Sequence, residues 1–486
     1  MTSARPLRGR ERRWLASATC AVVAAAVALS SFVSVARAQS ALPPVPQVNT
    51  GQILTPEVND PLLTPPPEAP RHIASWDDAL ALIKAQSPDY ITAAQSVVRA
   101  EAQKRITLAA VLPILDAQAS FTHQFYTTPL SILTPNPMAG GPPVPASFVS
   151  PPSNLRTFAG SFDWQVVNPR GIYRVGTESE NIKVAKLSFS DQRRQIALSV
   201  VHSMLATLAA ARVAEVNRVG LRSSLERLAL TQARLQYGQG TALDVDRGLR
   251  DAESARRLII SGDDALLQAR EALGAALGSP LAISPPGGLD LDQFEAAVTR
   301  TCHLNDEIDR RPDVAAARGQ LEVAERRIHE AELLFSPTLS FSSEFADNNV
   351  AVLGPTKTWD VQALVNVPLY DGGARYGALR DARAAAEQAR QNLIATRLNA
   401  IVGSEQAQRL VGVRQASRDV AKRQVELAQK IDDRTRNGYA NGFGNSLDLV
   451  TSAQDLRQSE IDLALLDYQV AESRVDAVLT NAECLY

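Results

Sequence analysis

Four short stretches of the chain alternate apolar and polar positions with a period of two. Leu115, Ala117, Ala119, Phe121 and Phe125 alternate with Asp116, Gln118, Ser120, Thr122 and Gln124. Phe158, Phe162, Trp164 and Val166 alternate with Ser161, Asp163 and Gln165. Leu339, Phe341 and Phe345 alternate with Thr338, Ser340, Ser342 and Glu344, and Trp359, Val361, Ala363, Val365 and Val367 with Asp360, Gln362 and Asn366. This is the pattern of strands with one apolar and one polar face. Segments of about ten residues suit a membrane β-barrel, apolar toward lipid and polar toward a lumen. They also suit a half-buried sheet in a soluble protein. In the barrel reading, Trp164, Trp359, Tyr126 and Tyr370 fall in the interfacial girdles. Four strands do not close a barrel, because the smallest membrane barrels have about eight. Open edges cannot face lipid, so several chains would have to pool their strands.

Elsewhere the apolar period is that of a helix. Ile196, Val200, Met204, Leu208 and Ala211 trace one helical face. No proline interrupts 171–237, a run long enough for about 100 Å of helix, and 374–437 is nearly as long. Helices of that length predict coiled-coil-like packing.

The pattern occurs twice. SPDYITAAQSVVRAEAQKRITLAAVLP (87–113) aligns without gaps to RPDVAAARGQLEVAERRIHEAELLFSP (311–337). VVNPRGIY (166–173) matches LYDGGARY (369–376), and YGQGTALDV (237–245) matches NGFGNSLDL (441–449). In the last pair Gly238, Gly240, Leu243 and Asp244 fall on Gly442, Gly444, Leu447 and Asp448. Internal duplication is therefore the organising feature. It divides the chain into a leader at 1–38, a Pro-rich extended segment at 39–72, repeat one at 73–278, a linker at 279–306 and repeat two at 307–486. Each repeat reads as helix, strand, loop, strand, long helix, turn and long helix. Repeat one carries extra residues in the Pro-rich stretch Thr127–Asn154, a loop by composition.

Composition refines this picture in a few places. Five arginines between Arg5 and Arg13, the apolar stretch Leu15 to Val35 and the Ala36-Arg37-Ala38 site make 1–38 a secretory signal. The small-residue site favours cleavage over a retained anchor. No later stretch approaches about 18 apolar residues, so no further spanning helix is expected. Cys20 would leave with the signal, and no cysteine immediately follows the cleavage site to take a lipid. Cys302 and Cys484 remain, at the two edges of repeat two. In an oxidising compartment they pair or stand as separate thiols, and the sequence leaves both readings open. A net charge of -2 gives no reason to expect nucleic acid as partner. Aromatics at 5% and frequent Ala, Leu, Arg and Gln favour long helices over a mixed globular core.

The Pro-Asp opening of each repeat, the strand end VPLYDGG (367–373) and the turn GYANGFGNSLDLV (438–450) resemble the TolC-like outer-membrane factors. The resemblance covers about 73–482. It implies a mainly α protein with membrane β-structure, in which four strands per chain complete a trimeric 12-stranded barrel and long helices form an α-barrel. It implies a homotrimer in the outer membrane with its helical body in the periplasm, in contact with outer-membrane lipid. A periplasmic adaptor and an inner-membrane pump would be its partners, and passive efflux its function. The exit duct of a type I protein-secretion system is the alternative within this architecture. A soluble periplasmic coiled-coil scaffold is the alternative of another class.

The same resemblance implies a periplasmic constriction at the helical turns. By motif, Asp244 and Asp448 match its inward carboxylates, and Tyr439 matches the aromatic of the second turn. Thr451 stands where a second inward Asp can occur, Gly444 where an Arg can lock the closed state, and Leu243 where a small polar residue is usual. Rings of Asp favour cations, but Asp near a helix start is also an ordinary capping residue. Gly238, Gly240, Gly442 and Gly444 permit a tight turn, and the family uses this region for adaptor contact. There is no phosphate loop, no G-x-G-x-x-G and no C-x-x-C, and the five histidines lack metal-ligand spacing. The chain is therefore read as neither an enzyme nor a cofactor or metal protein, and the energy for transport must come from partners.

Overall fold

The computed structural model describes residues 58–484, apart from 124, 126–130, 135–143, 148–153, 287–290, 305–306 and 350–355. The described chain lies in the second of two units, Thr55–Tyr486. The signal segment, Gln124 and Tyr126 lie outside the described residues. In chain order the elements are β1 (Arg71–His72), α1 (Trp76–Gln86), α2 (Pro88–Ala109), β2 (Ile114–His123), β3 (Ser131–Thr134), β4 (Val144–Ser147), β5 (Asn154–Val167), α3 (Pro169–Gln236) and α4 (Ala242–Ala276). They continue through β6 (Ile283–Ser284), α5 (Leu291–Thr301), β7 (Cys302–Leu304), α6 (Pro312–Glu332), β8 (Thr338–Asn348), β9 (Lys357–Asn366), α7 (Ala374–Ala440), α8 (Ser446–Leu479) and β10 (Ala482–Cys484).

The series α2-β2-β5-α3-α4 recurs as α6-β8-β9-α7-α8. Both series open on a proline in the first helical turn, Pro88 and Pro312, where the missing N–H costs nothing. α3 and α7 run for 68 and 67 residues without a break, roughly 100 Å each at 1.5 Å per residue. α3 pairs with α4, α7 with α8, and α3 also packs against α8.

Two regions correct the sequence reading. The Pro-rich stretch expected to be loop contains the antiparallel hairpin β3–β4, with Ile132 opposite Ala146; Val144, Ile132 and Leu133 supply β-favouring residues between the prolines. The linker, for which the sequence reading assigned no elements, holds α5 and the short strands β6 and β7. α3 also contains an 18-residue window apolar enough for a bilayer by composition, which the expectation of no such stretch missed. Its Ala197, Val200, Val201, Met204 and Leu205 are buried in the main core, which accounts for that composition.

That core joins α1, α3, α5 and the end of α8. Trp76 meets Phe294 edge-on at 6.0 Å between ring centroids and donates its indole N–H to Thr301 at 3.1 Å. Around them lie Ile83, Val200, Met204, Val298 and Leu479. Cys302 and Cys484 sit opposite each other in the β7–β10 pair and form a disulfide. Both are buried within this core.

The four strands expected from alternation form one antiparallel sheet in the order β2-β5-β8-β9. β2 and β9 are its edges, and every residue of these two strands is exposed. Cross-strand register places Leu115 opposite Phe162, and Trp164 opposite Phe341, which faces Ala363. One face is thus apolar yet open: Leu115 is 79% exposed, Trp359 75% and Val365 63%. A surface of that kind marks a membrane or protein contact.

Candidate functional site

The helical hairpins α3–α4 and α7–α8 end in two tight turns of similar design. In the first, Gly238 takes φ +72° and the amide of Gln239 donates back to the Arg234 carbonyl at 2.8 Å. In the second, Gly442 takes φ +85° and the amide of Phe443 donates to Gly438 at 2.9 Å. A left-handed residue at a helix C-terminus is strongly disposed to be glycine. Gly240 and Gly444 have a different reason. A Cβ at Gly444 would lie 3.0 Å from the amide nitrogen of Tyr439, and one at Gly240 would lie 3.2 Å from that of Leu235. The turns close because the backbones touch there.

Asp244 and Asp448 both occupy the third helical position after the turn. Thr241 accepts from the Asp244 amide at 3.3 Å, while the Asp244 carboxylate accepts from the Thr241 amide at 3.0 Å. This reciprocal pair is a capping box. In the second hairpin the Asp448 amide donates to the Asn445 side chain, and Asn445 donates to the Asp448 carboxylate, both at 2.8 Å. Capping is thus present at both aspartates. Thr451 donates its hydroxyl to the Leu447 carbonyl at 3.0 Å, so it is bonded within its own helix.

The two turns are also tied to each other. Ser446 donates to the second oxygen of Asp244, and Arg247 donates to the Ser446 hydroxyl at 3.1 Å. Burial pushes the Asp244 carboxyl up, but hydrogen bonds from Ser446 and Thr241 and the nearby Arg247 outweigh it and hold it below its ordinary value. Arg234 donates to the Tyr439 carbonyl, and its guanidinium lies 4.5 Å from the centroid of the Tyr439 ring, a cation–π contact. Tyr439 is buried, which raises its phenol pKa; Asp244 adds to the rise and Arg234 opposes it.

Tyr439 and Asp244 therefore belong to one junction. Asp448 and Thr451 are exposed on the second hairpin outside that junction. Arg234, Arg247 and Ser446 were missed from sequence. Arg234 had a signal, a basic residue in the last turn of α3. Ser446 had none, because its partner lies in the other repeat.

Just above the turns is a buried polar cluster. Asp251 is 1% exposed. It accepts from Arg227 of α3 at 3.0 Å and from Gln454 of α8 at 2.9 Å, with Arg457 at 3.9 Å. A buried carboxylate is tolerable when it is paired and fully hydrogen-bonded. Burial lowers the pKa of Arg457, while Asp251 opposes the fall.

The model of the outer membrane efflux protein family matches residues 303–477. Nodulation protein T of Rhizobium leguminosarum bv. trifolii is 25% identical over 330 residues, which is 64% of this chain and 68% of that protein. The toluene efflux pump outer membrane protein TtgC of Pseudomonas putida is 26% identical over 214 residues, 42% of this chain and 44% of that one. The matched stretch is therefore less than half the length of TtgC. The CmeC outer membrane channel of Campylobacter jejuni has the same fold, with a TM-score of 0.68, 16% identity, and coverage of 88% of this chain and 94% of that chain.

Proposed function

We propose that the chain is a TolC-like outer-membrane efflux protein, as its similarity to that family over 303–477 supports, and that three copies assemble into a passive exit duct that spans the outer membrane and the periplasm. The observation that carries this reading is the sheet. Its two edges are unpaired among the described residues, and its apolar face is open. Lipid tolerates neither free edges nor unsatisfied backbone. Pooling the four strands of each copy removes both problems. The helices continue from the same strands, so their hairpins form the wall of a periplasmic tunnel.

The polar face of the sheet supports a water-filled lumen. Register aligns Asp116, Ser161, Glu344 and Asp360 in one row across the four strands. Asp163 lies in the adjacent row, opposite Ser342. Lys357 and Arg156 fall on the other face, opposite Asp347 and Phe121. Like charges directly opposed, as at Glu344 and Asp360, destabilise a sheet. Their presence fits a water-filled pore that prefers cations.

At the far end, the junction of Arg234, Tyr439, Asp244 and Ser446 holds the two hairpins of a chain together. Asp448, exposed beside it, contributes a ring of carboxylates in the trimer. Opening requires the hairpins to part, and a periplasmic adaptor with an inner-membrane pump is the agent proposed to part them. The glycine turns are its proposed contact. Reconstitution in planar bilayers tests this: the purified chain should form discrete, cation-preferring channels. A monomeric, water-soluble protein without conductance would refute it.

A further inference from the structure

A segment ahead of the first repeat, Val58–Pro67, lies along the α3–α4 hairpin, and its chemistry is matched to that position. Asp60 is buried. Its carboxylate accepts from the Leu62 amide at 2.9 Å and from Arg256 of α4 at 3.0 Å. Further along, Arg270 of the same helix donates to the Pro67 carbonyl at 2.9 Å. Between these two anchors Pro61–Leu63 form a 3-10 turn whose start is capped by Asp60, and Pro65, Pro66 and Pro67 follow it, presenting no amide donor that would need a partner. Val58, Leu62 and Leu63 pack onto Leu221, Leu225 and Leu228 of α3 and Ala252, Ala255 and Ile259 of α4. The segment thus bridges both helices of the hairpin. Its other end enters the main core, where β1 pairs with β6.

Among the described residues the α7–α8 hairpin has no such strap. Leu427 and Ile431 on α7 are 58% and 56% exposed. The hairpins are tied together through Asp244–Ser446 and Asp251–Gln454.

We propose that Val58–Pro67 is a cis-acting latch that braces the α3–α4 hairpin against the core and so limits its motion at the tip. The effect at the tip rests on the channel reading, whereas the bracing does not. Hydrogen exchange on the full chain in detergent tests the bracing first. Asp60→Ala, and separately Leu62→Ser with Leu63→Ser, should speed exchange in 252–259 of α4 by roughly tenfold and leave 456–463 of α8 unchanged. The charge-swapped pair Asp60→Arg with Arg256→Asp should restore much of the protection. Equal acceleration in both hairpins, or none in α4, overturns the latch whatever the oligomeric state. Spin labels at Gln239 and at Phe443, in separate trimers, test the consequence. Unlatching should broaden the distances between copies at Gln239 and leave those at Phe443 unchanged. An unchanged Gln239 distribution, with exchange in α4 already accelerated, overturns the latch's role at the tip and leaves the channel reading standing.

Discussion

α3 and α7 have nearly the same length, descend from equivalent strands and end in equivalent turns, yet they face different surroundings. α3 buries Ile196, Val200, Met204 and Leu221 within the chain. α7 buries little beyond Ala386, Ala400, Ala421 and Tyr439, and it exposes Val413, Val420 and Leu427 by 53%, 47% and 58%. Those three positions recur every seven residues, the spacing of a coiled-coil seam. Duplication has supplied one backbone twice. Side-chain divergence has made one copy an internal wall and left the other an open apolar stripe, which the proposed trimer would cover. The disulfide and the strap fall on opposite sides of the same division: Cys302–Cys484 closes repeat two, and Val58–Pro67 braces repeat one.

The most severe way to break this contrast is Leu198→Pro, which removes a helical hydrogen bond inside the buried part of α3. A cost of about 3 kcal/mol or more should appear as lost trimer and a lower melting temperature. The same change at an exposed α7 position such as Val402 should cost less at the core and more at assembly. Cys302→Ser is of comparable severity. The bond joins residues 182 apart in sequence, and the chain-entropy model gives about 5 kcal/mol for a loop of that order, less any relief elsewhere. Limited proteolysis should then cut repeat two before repeat one; equal cutting would mean the bond does not serve repeat two in particular. Val413→Asp with Leu427→Asp should abolish the trimer by size-exclusion light scattering while circular dichroism keeps its helical signal. A surviving trimer would move the seam away from α7.

Smaller effects sharpen the contrast at the tips. Ser446→Ala frees one oxygen of Asp244 and should raise single-channel conductance, whereas Asp448→Ala should weaken cation preference. The reverse assignment would exchange the roles of the two aspartates. The weakest effect is a pH dependence. His202 of α3 sits 2.6 Å from Asp476 of α8, and this hydrogen bond raises its pKa against the opposing effect of burial, with Glu472 adding to the rise. The folded imidazole thus binds its proton more tightly than the unfolded one. Its stabilisation is complete below the ordinary value of 6.5 and is lost as pH rises through the raised value. His202→Gln should flatten that slope in thermal melts; an unchanged slope would assign it to other groups.

Much of this fold was legible because it rests on local rules. Period two gave the strands, the absence of proline gave the long helices, and Gly238 and Gly442 marked the turns. Duplication then fixed the element order without any knowledge of packing. What escaped were features made by distant residues. The β3–β4 hairpin was hidden by prolines, and α5 by the Gly-Pro composition around it. The pairing of Cys302 with Cys484 depends on β7 and β10 meeting across the whole of repeat two. At the tip, the aspartates were visible by motif. The partners of Asp244, Ser446 and Arg247, were not, because a capping residue and a cross-hairpin tie look alike in sequence.

The claim on which the rest depends is that the exposed sheet and the α7 stripe are completed by other copies of the same chain. Native mass spectrometry of the detergent-purified protein measures this most directly. The expected species contains three chains, persists on dilution and breaks down when Val413 and Leu427 are made acidic. A stable single chain, unchanged by those substitutions, would contradict it.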